Sequence, residues 1–268
     1  MRRGRLAAAV LLLLIVAALL APWLASGAAD TMDLANRRAA PSLSHWFGTD
    51  ELGRDLLARV FFGARVSLAV GLLSALVAGA LGVSVGAASG FFGGGVDAVL
   101  MRATDAVLSV PRLLLLMAAA AVVQPSVPVL VLLVGGIGWM ETARVTRAAF
   151  LQSRDREFVL AARAAGASPV RVILAHLLPN ASGPIIVSMT LAVGRGILLE
   201  SALSFFGAGV QPPTASWGNM LYQAQTTMST EPWLALFPGL FIFITSVAVN
   251  ALGDSLGEAS VSERRAPA

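Results

Sequence analysis

VSLAVGLLSALVAGALGVSVGAA, residues 66–88, is an apolar run without a single charged side chain. About 20 residues of this kind are needed for a helix to cross the hydrocarbon core of a bilayer. Comparable but more interrupted runs recur along the chain, at 6–24, 99–123, 127–140, 184–206 and 233–252. The sequence therefore predicts an all-α membrane protein, a polytopic bundle of about six transmembrane helices.

The composition indicates the same class of protein. Hydrophobic residues make up 57% of the 268 residues and charged residues 13%, whereas about 25% of the residues in soluble domains are charged. Mean hydropathy is +0.79. The formal net charge is +4, but the arginines stand between apolar runs, which fits membrane orientation signals better than a nucleic-acid surface. Because the chain has no cysteine, disulfides and thiolate metal sites are excluded.

The first apolar run follows Arg2, Arg3 and Arg5 and ends before the small residues at 25–29. This pattern leaves two interpretations, a cleaved signal peptide or a first transmembrane helix. The run is longer than the usual core of about 7–15 residues in a signal peptide. We therefore expect an uncleaved helix, followed by an extracytoplasmic segment.

Arginine is concentrated at both termini and in one internal segment. Between residues 144 and 171, six arginines face only two acids, Asp155 and Glu157. By contrast, the stretch 207–232 contains Glu231 and no arginine. Positively charged loops are retained in the cytoplasm, so the sequence predicts cytoplasmic N- and C-termini and a cytoplasmic internal segment.

Small residues recur four positions apart in the second apolar run and just beyond it. They are Gly71, Ala75 and Gly79, followed by Gly82, Gly86 and Gly90. Small residues at this spacing let helix backbones approach closely, and packing then drives the association of the helices. The pattern indicates either a bundle or subunit interface, or only the general abundance of small residues in this chain.

EFVLAARAAGASPVRVILAHLLPN, residues 157–180, is too polar to cross a bilayer, yet it is rich in strong helix formers. Gly166 supplies a break or a close backbone approach. Ser168 before Pro169 has the pattern of a helix start, and we expect this second helix to end before Pro179. The segment thus predicts a helix–turn–helix under the membrane; the alternative is an amphipathic hairpin on anionic lipid.

The same segment reproduces most of the pattern EAA-x3-G-x9-I-x-L-P. The matching residues are Ala161, Ala162, Gly166, Leu178 and Pro179. The pattern resembles the cytoplasmic coupling loop of ABC importer permeases, which docks onto the ATP-hydrolysing subunit, and it assigns the coupling loop to 154–180. Leu160 stands where the pattern has Glu, and His176 stands where it has Ile. Glu157, one helical turn earlier, is our candidate to replace the missing acid.

Three longer stretches are similar to permeases of the dipeptide, oligopeptide and nickel class. They are HWFGTDELGRDLLARVFFGARVSLAVGL (45–72), GFFGGGVDAVLMRATDAVLSVP (90–111) and LLESALSFFGAGVQPPTASWGNML (198–221). The resemblance implies the fold of a type I ABC importer permease in the bacterial inner membrane. It divides the chain into an N-terminal helix and extracytoplasmic segment (1–65), a permease core with five transmembrane helices (66–257) and a cytoplasmic tail (258–268).

The resemblance also implies what the chain does and with what it assembles. It implies the permease subunit of an ATP-driven importer of di- and oligopeptides, which forms half of the translocation path within membrane lipid. The implied partners are ATP-binding subunits, a second homologous permease and an extracytoplasmic solute-binding protein. ATP is used by the partner subunits, and no cofactor is expected on this chain.

Two charged residues fall within the fifth apolar run, Arg195 and Glu200. They are five residues apart, on different sides of a helix, so we expect each to have its own partner. Glu200, with Ser201 and Ser204, is predicted to line the translocation path; the alternative is a structural hydrogen bond between helices. Arg195 matches no part of the resemblance.

Two predictions concern the third apolar run. Arg102 and Asp105 are three residues apart, so we expect them to pair on one helix face. Pro111 is expected to kink the span.

No catalytic motif is present. The P-loop pattern G-x-x-x-x-G-K-[ST] is absent and the chain has no lysine to complete it. His45 and His176 are predicted to lie on opposite sides of the membrane, so no shared metal site is expected. The sequence therefore predicts a transport subunit and not an enzyme. Two alternatives remain: an ion- or proton-coupled secondary transporter that uses Glu200 and Arg195, and a structural membrane subunit.

Overall fold

The computed structural model describes residues 2–24, 29, 31–124 and 126–265, and the regular structure in these residues is helical. An isolated bridge joins Thr49 and Asp55. The α-helices are α1 (Arg2–Leu24), α2 (Leu56–Phe92), α3 (Gly94–Leu108), α4 (Arg112–Ala120), α5 (Val127–Gly138), α6 (Met140–Ser153), α7 (Glu157–Ala164), α8 (Pro169–Arg171), α9 (Leu178–Phe205), α10 (Trp217–Ala224) and α11 (Trp233–Arg265). A 3-10 turn spans Leu34–Asn36 and a π-helical turn spans Val172–Leu177.

The predicted all-α membrane fold is confirmed, with four to six candidate membrane crossings. Four stretches of helix are long and apolar enough to cross alone: α1, α2, the continuous helix Pro169–Phe205 and α11. Two bent pairs, α3 with α4 at 81° and α5 with α6 at 42°, bring the number to six if each pair is one span. The first of these breaks falls at Pro111, where the sequence predicts a kink and the structure has a sharper interruption.

α2 is the central helix, and its small residues are contact points within the chain. A Cβ on Gly82 would lie 2.6 Å from the carbonyl oxygen of Trp139, and one on Gly90 would lie 2.6 Å from the Cβ of Phe150. On another side of α2, Gly71 lies against Ile197 of α9. Only a glycine leaves enough room at these positions. The regularly spaced small residues therefore form an interface within the bundle, between α2, α6 and α9.

The two ends of the bundle differ in what they gather. At one end, which we call the coupling end, Gly4 of α1 lies against Ser255 of α11, and α7 packs beneath α2 and α6. At the opposite end lie the segment 31–55 and α10. There Phe47 stacks on Phe237 with ring centroids 3.8 Å apart. The first and last helices thus begin and end on the side that carries the predicted coupling loop.

The predicted three-part division meets the helices as follows. α2 begins at Leu56 and so runs across the predicted boundary at residue 65. α11 continues to Arg265, beyond the predicted start of the tail at 258. The division itself stays a prediction.

Candidate functional site

The turn after α7 is built by backbone hydrogen bonds. The N–H of Gly166 donates to the carbonyl of Arg163 at 2.9 Å, and the N–H of Ala167 donates to the carbonyl of Ala162 at 3.0 Å. This pair of bonds is a Schellman motif, which ends a helix through a residue in the left-handed conformation. Gly166 has φ +80°, and no atom lies within 4 Å of the place where its Cβ would stand. The backbone therefore favours glycine here, and the outer side of the turn is open to a partner.

Val159 attaches α7 to the rest of the molecule. It is the buried residue of α7, and it packs in one apolar cluster with Val172 and Leu177. On the same helix, Arg163 places its guanidinium carbon 5.0 Å from the ring centroid of Phe91, near the end of α2. Such a cation–π contact adds to the apolar packing. α7 is therefore held both by α2 and by the helix that follows the turn.

The second helix starts as the sequence predicts. Ser168 is the N-cap residue, and its side chain accepts a hydrogen bond from the N–H of Arg171. Pro169 occupies the first helical position, where its missing N–H is not needed.

The same helix does not end before Pro179, so that prediction is wrong. α8, the π-helical turn and α9 form one helix from Pro169 to Phe205. In an α-helix, proline removes a donor and its ring clashes with the carbonyl four residues earlier. Just before Pro179 the bonds run five residues back instead, as from the N–H of Leu178 to the carbonyl of Ile173. The wider turn accommodates the proline, and the coupling segment continues into α9 without a joint.

The outer surface of the coupling segment mixes small, acidic and apolar side chains. Of the predicted coupling residues, Glu157, Ala161, Gly166 and Pro179 are exposed, whereas Ala162 and Leu178 are partly buried. Leu160, which stands in place of the pattern's Glu, is 51% exposed, and Val170 and Leu174 are also exposed. Sequence reasoning missed the apolar residues of this surface, although their position on the outer face of two short helices was the available signal.

Glu200 lies in a buried hydrogen-bond network between α2, α9 and α10. Its carboxylate accepts one hydrogen bond from the Ser67 hydroxyl at 3.0 Å and another from the Ser204 hydroxyl at 2.8 Å. The Ser67 hydroxyl in turn accepts from the N–H of Trp217 at 3.2 Å, and that of Ser204 accepts from the N–H of Val210 at 3.1 Å. The structure thus brings Glu200 and Ser204 together. Ser201 is buried in the same helix.

Arg195 has its own partner, as expected from its spacing to Glu200. Its guanidinium forms an ion pair with Glu141 at the start of α6, and Glu141 also pairs with Arg112 at the start of α4. The three residues come from three different helices and are far apart in sequence. No local pattern in the sequence signals this cluster.

The predicted pairing of Arg102 with Asp105 is wrong. Asp105 forms its ion pair with Arg144 of α6 instead. Nearby, Arg147 of α6 donates two hydrogen bonds to Asp97 of α3, at 2.5 and 2.6 Å. α6 packs beside α3 near the coupling end. Its arginines therefore reach the carboxylates of α3 across the helix interface, in place of an arginine of α3 itself.

The described residues contain no group of three His, Asp or Glu side chains that is able to hold a metal ion. His45 lies 3.0 Å from Asp55 at the start of α2, whereas His176 lies in the π-helical turn at the coupling end. The two histidines are therefore at opposite ends of the bundle.

Sequence comparison identifies the relatives of this chain. It is 40% identical to the dipeptide transport system permease protein DppC of Bacillus subtilis, over 97% of this chain and 82% of that protein. It is 38% identical to the oligopeptide transport system permease protein OppC of the same organism, over 93% of this chain and 82% of that protein. A putative peptide transport system permease protein of Brucella suis is also 38% identical, over 95% of this chain and 86% of that protein.

A solved structure has the same fold. The MetNI methionine ABC transporter, in an inward-facing conformation, aligns with a TM-score of 0.63 and 18% identity, over 76% of this chain and 95% of that chain. Residues 78–264 match the family described as binding-protein-dependent transport system inner membrane component. Family membership decides against the secondary transporter and against an enzyme. The chain belongs to this family, and it is a multi-pass permease subunit of an ABC importer.

Proposed function

We propose that this chain forms half of the translocation path of an ATP-driven importer of di- and oligopeptides. The support for peptides comes from the relatives, which are named as dipeptide, oligopeptide and peptide permeases. The support for ATP coupling comes from the family, whose members are inner-membrane components of binding-protein-dependent systems. In this proposal the coupling end faces the bacterial cytoplasm, with both termini on that side.

We assign the partners that the family implies to the two ends of the bundle. ATP-binding subunits contact α7 and the turn at Gly166, and they alone bind ATP. A second, homologous permease completes the path, and a solute-binding protein docks at the opposite end, where the segment 31–55 and α10 lie. Membrane lipid covers the remaining outer surface.

One observation carries this proposal: the coupling turn and the core are joined by a single helix. α7 is fixed by Val159 to the helix Pro169–Phe205, and that helix passes between α2 and α11 to the opposite end. A displacement of α7 by a motor subunit is therefore passed on to α9. A hairpin that only rests on lipid needs no such attachment.

The path-lining role of Glu200, Ser201 and Ser204 stays a prediction. All three side chains are buried in this structure. The hydrogen bonds from Ser67 and Ser204 support the alternative role, a structural link between helices.

The docking role of the turn is tested with two substitutions at Gly166. Gly166→Arg places a long cation on the open face, so we expect the permease to remain in the membrane but to lose its ATPase subunits. Gly166→Asn is the matched control, because Asn tolerates a positive φ better than other residues with a side chain. The measurement is co-purification of the native complex in mild detergent, with ATP-driven peptide uptake in proteoliposomes.

The outcomes are distinct. We expect the wild type and Gly166→Asn to recover an ATPase pair and a second permease, and Gly166→Arg to recover only the second permease. Wild-type uptake by the Gly166→Arg complex contradicts the docking assignment. Import of a solute other than a peptide by the intact complex contradicts the substrate assignment and leaves the docking assignment in place.

A further inference from the structure

A group of charges lies inside the bundle, away from the coupling segment. One carboxylate oxygen of Glu141 contacts the guanidinium of Arg112, and the other contacts that of Arg195. Arg195 also lies 3.5 Å from the carbonyl oxygen of Ser188. Within the described part of the chain these are the polar contacts of the two guanidinium groups, so most of their N–H donors are available. Two positive charges share one negative charge, which leaves one positive charge in excess.

The cluster lies at mid-depth in the bundle. Arg195 precedes Phe205, the end of α9, by 205 − 195 = 10 residues. That separation is about 15 Å along a helix, half of a hydrocarbon core about 30 Å thick. Ser74 and Ala75, which line the same small cavity as Arg195, stand in the middle of α2.

The cluster is partly exposed, and lipid is an unsuitable neighbour for it. The side chains of Arg195, Glu141 and Arg112 are 36%, 34% and 22% exposed. A charge that faces lipid at this depth costs about 2.5–3.5 kcal/mol on insertion scales. The exposed sides of these residues therefore face water or another protein. The face between α4, α6 and α9 is consequently the inner face of this permease.

A small cavity of about 20 Å³, the size of about one water molecule, lies beside the arginines. The cavity is lined largely by small residues: Ser74, Ala75, Ala78, Gly138, Ala192 and Gly196. α4 begins at this cavity with Arg112, and its N-cap residue, Pro111, makes no side-chain capping bond. The N-terminus of a helix favours negative charge. Broken helices in transporters present such ends toward anionic groups.

We propose that Arg112 and Arg195 form a binding site for a carboxylate of the transported solute. Glu141 holds both guanidinium groups in position and limits the site to one excess positive charge. A carboxylate that approaches the exposed sides of the two guanidinium groups accepts hydrogen bonds from their donors and neutralises that charge. The site rests on the proposed peptide function, because every peptide with a free C-terminus carries this group. Acidic side chains carry the same group and are the second source.

The test uses the assembled transporter with its binding protein in proteoliposomes. Uptake is measured for trialanine, for trialanine amide, and for Ala-Glu-Ala amide, which carries only a side-chain carboxylate. We expect Arg195→Gln to lower the uptake of trialanine about tenfold, the loss expected for one charge-assisted hydrogen bond. Uptake of trialanine amide should change less than about twofold, because it makes no such bond. If a side-chain carboxylate also fits the site, Arg195→Gln lowers the uptake of Ala-Glu-Ala amide as much as that of trialanine. If only a C-terminal carboxylate fits, the uptake of Ala-Glu-Ala amide changes as little as that of trialanine amide.

Three further variants separate binding from folding. Arg112→Gln is expected to repeat the effect of Arg195→Gln, and Arg195→Lys is expected to recover most of the wild-type rate because it keeps the charge. The control is Arg144→Gln, which also removes an arginine that is paired with a carboxylate, here Asp105. Its uptake of trialanine and of the amide is expected to match that of the wild type.

Equal losses for trialanine and its amide in Arg195→Gln, with no recovery in Arg195→Lys, overturn the carboxylate site and leave peptide import intact. If the wild-type complex imports trialanine but not the amide, Arg195→Lys alone decides. Recovery of trialanine uptake in this variant supports the carboxylate site, and no recovery overturns it. A wild-type complex that imports no peptide overturns the proposed function, and this site with it.

Discussion

Glu200 places a carboxyl group where three helices meet, and hydroxyl groups satisfy it. Ser67 and Ser204 each donate to it, and each of these serines also accepts from a backbone N–H. The carboxyl group thus completes two chains of hydrogen bonds that link α2, α9 and α10. If it is removed, two buried hydroxyl groups lose their acceptor, and such unpaired groups are costly.

Substitutions at Glu200 therefore distinguish a structural role from a path-lining role. We expect Glu200→Ala to lower the free energy of unfolding by about 3 kcal/mol, from two unpaired hydroxyl groups and a small cavity. Glu200→Gln keeps the shape and one acceptor, so its stability should stay within about 1 kcal/mol of the wild type. Thermal unfolding in detergent measures both, and peptide uptake is measured alongside. A Glu200→Gln protein that is stable but inactive contradicts the structural role and supports path lining.

Charge pairing shows where reasoning from sequence stops at the residue scale. The sequence correctly separates Arg195 from Glu200, because five residues turn a helix well past facing contact. It does not reveal that Arg195 reaches Glu141, since that pairing requires the packing of α6 against α9. For the same reason the local pair of Arg102 with Asp105 gives way to a contact with Arg144.

At the scale of the element, α7 is a short helix that depends on one buried side chain. Eight residues are too few for a helix to be stable alone in water. Val159 supplies its packing against Val172 and Leu177. The position of α7 is therefore decided by tertiary contact, and loosening that contact should loosen the coupling.

Val159→Ala tests this attachment. Removal of two methyl groups should cost about 1.6 kcal/mol, and we expect faster hydrogen exchange in the amides of α7 together with ATP hydrolysis that drives less uptake. Val170→Ala makes the same chemical change at a side chain that is 63% exposed. Its α7 amides should exchange as in the wild type. Equal exchange in both variants contradicts the assignment of Val159 as the attachment point.

Local chemistry determines two features of the coupling segment, the turn and the start of the second helix, but not how that helix continues. Gly166 and Ser168 are predicted correctly, because a left-handed turn and an N-cap depend on a few neighbouring residues. The continuation through Pro179 is not predicted. Proline is unfavourable within an α-helical hydrogen-bond pattern, and here the π-helical turn Val172–Leu177 accommodates it.

At the scale of the whole molecule, the number of spans and the glycine-lined centre follow from composition and spacing. The break at Pro111 is also predicted, but the angles of the two bent pairs are not, because they depend on how α4 and α6 pack. The bundle also brings the start of the first helix, the end of the last helix and α7 to one end. Together with the arginine-rich sequence near α7, this arrangement supports a cytoplasmic coupling end.

The orientation is directly testable because the natural chain has no cysteine. We expect Ser44→Cys, at the opposite end, to react with a membrane-impermeant maleimide in intact cells. Ala164→Cys, on the exposed side of α7, should react only in inside-out vesicles. Both positions are exposed in the chain alone, so the permease is labelled without its ATP-binding and solute-binding partners, which would cover these surfaces. The reverse labelling pattern contradicts the proposed orientation.

The π-helical turn also fixes the direction in which each side chain of α9 points around the helix axis. An α-helix places successive side chains about 100° apart around its axis, and a wider turn takes up extra chain in each revolution. The directions in which Arg195 and Glu200 point, relative to α7, therefore depend on the π-helical bonding of Val172–Leu177. If that turn changed to α-helical bonding, α9 would rotate about its long axis, by about 100° for each residue by which the hydrogen-bond register shifts. Both the carboxyl group among the serines and the arginine beside the cavity would then lose their present partners.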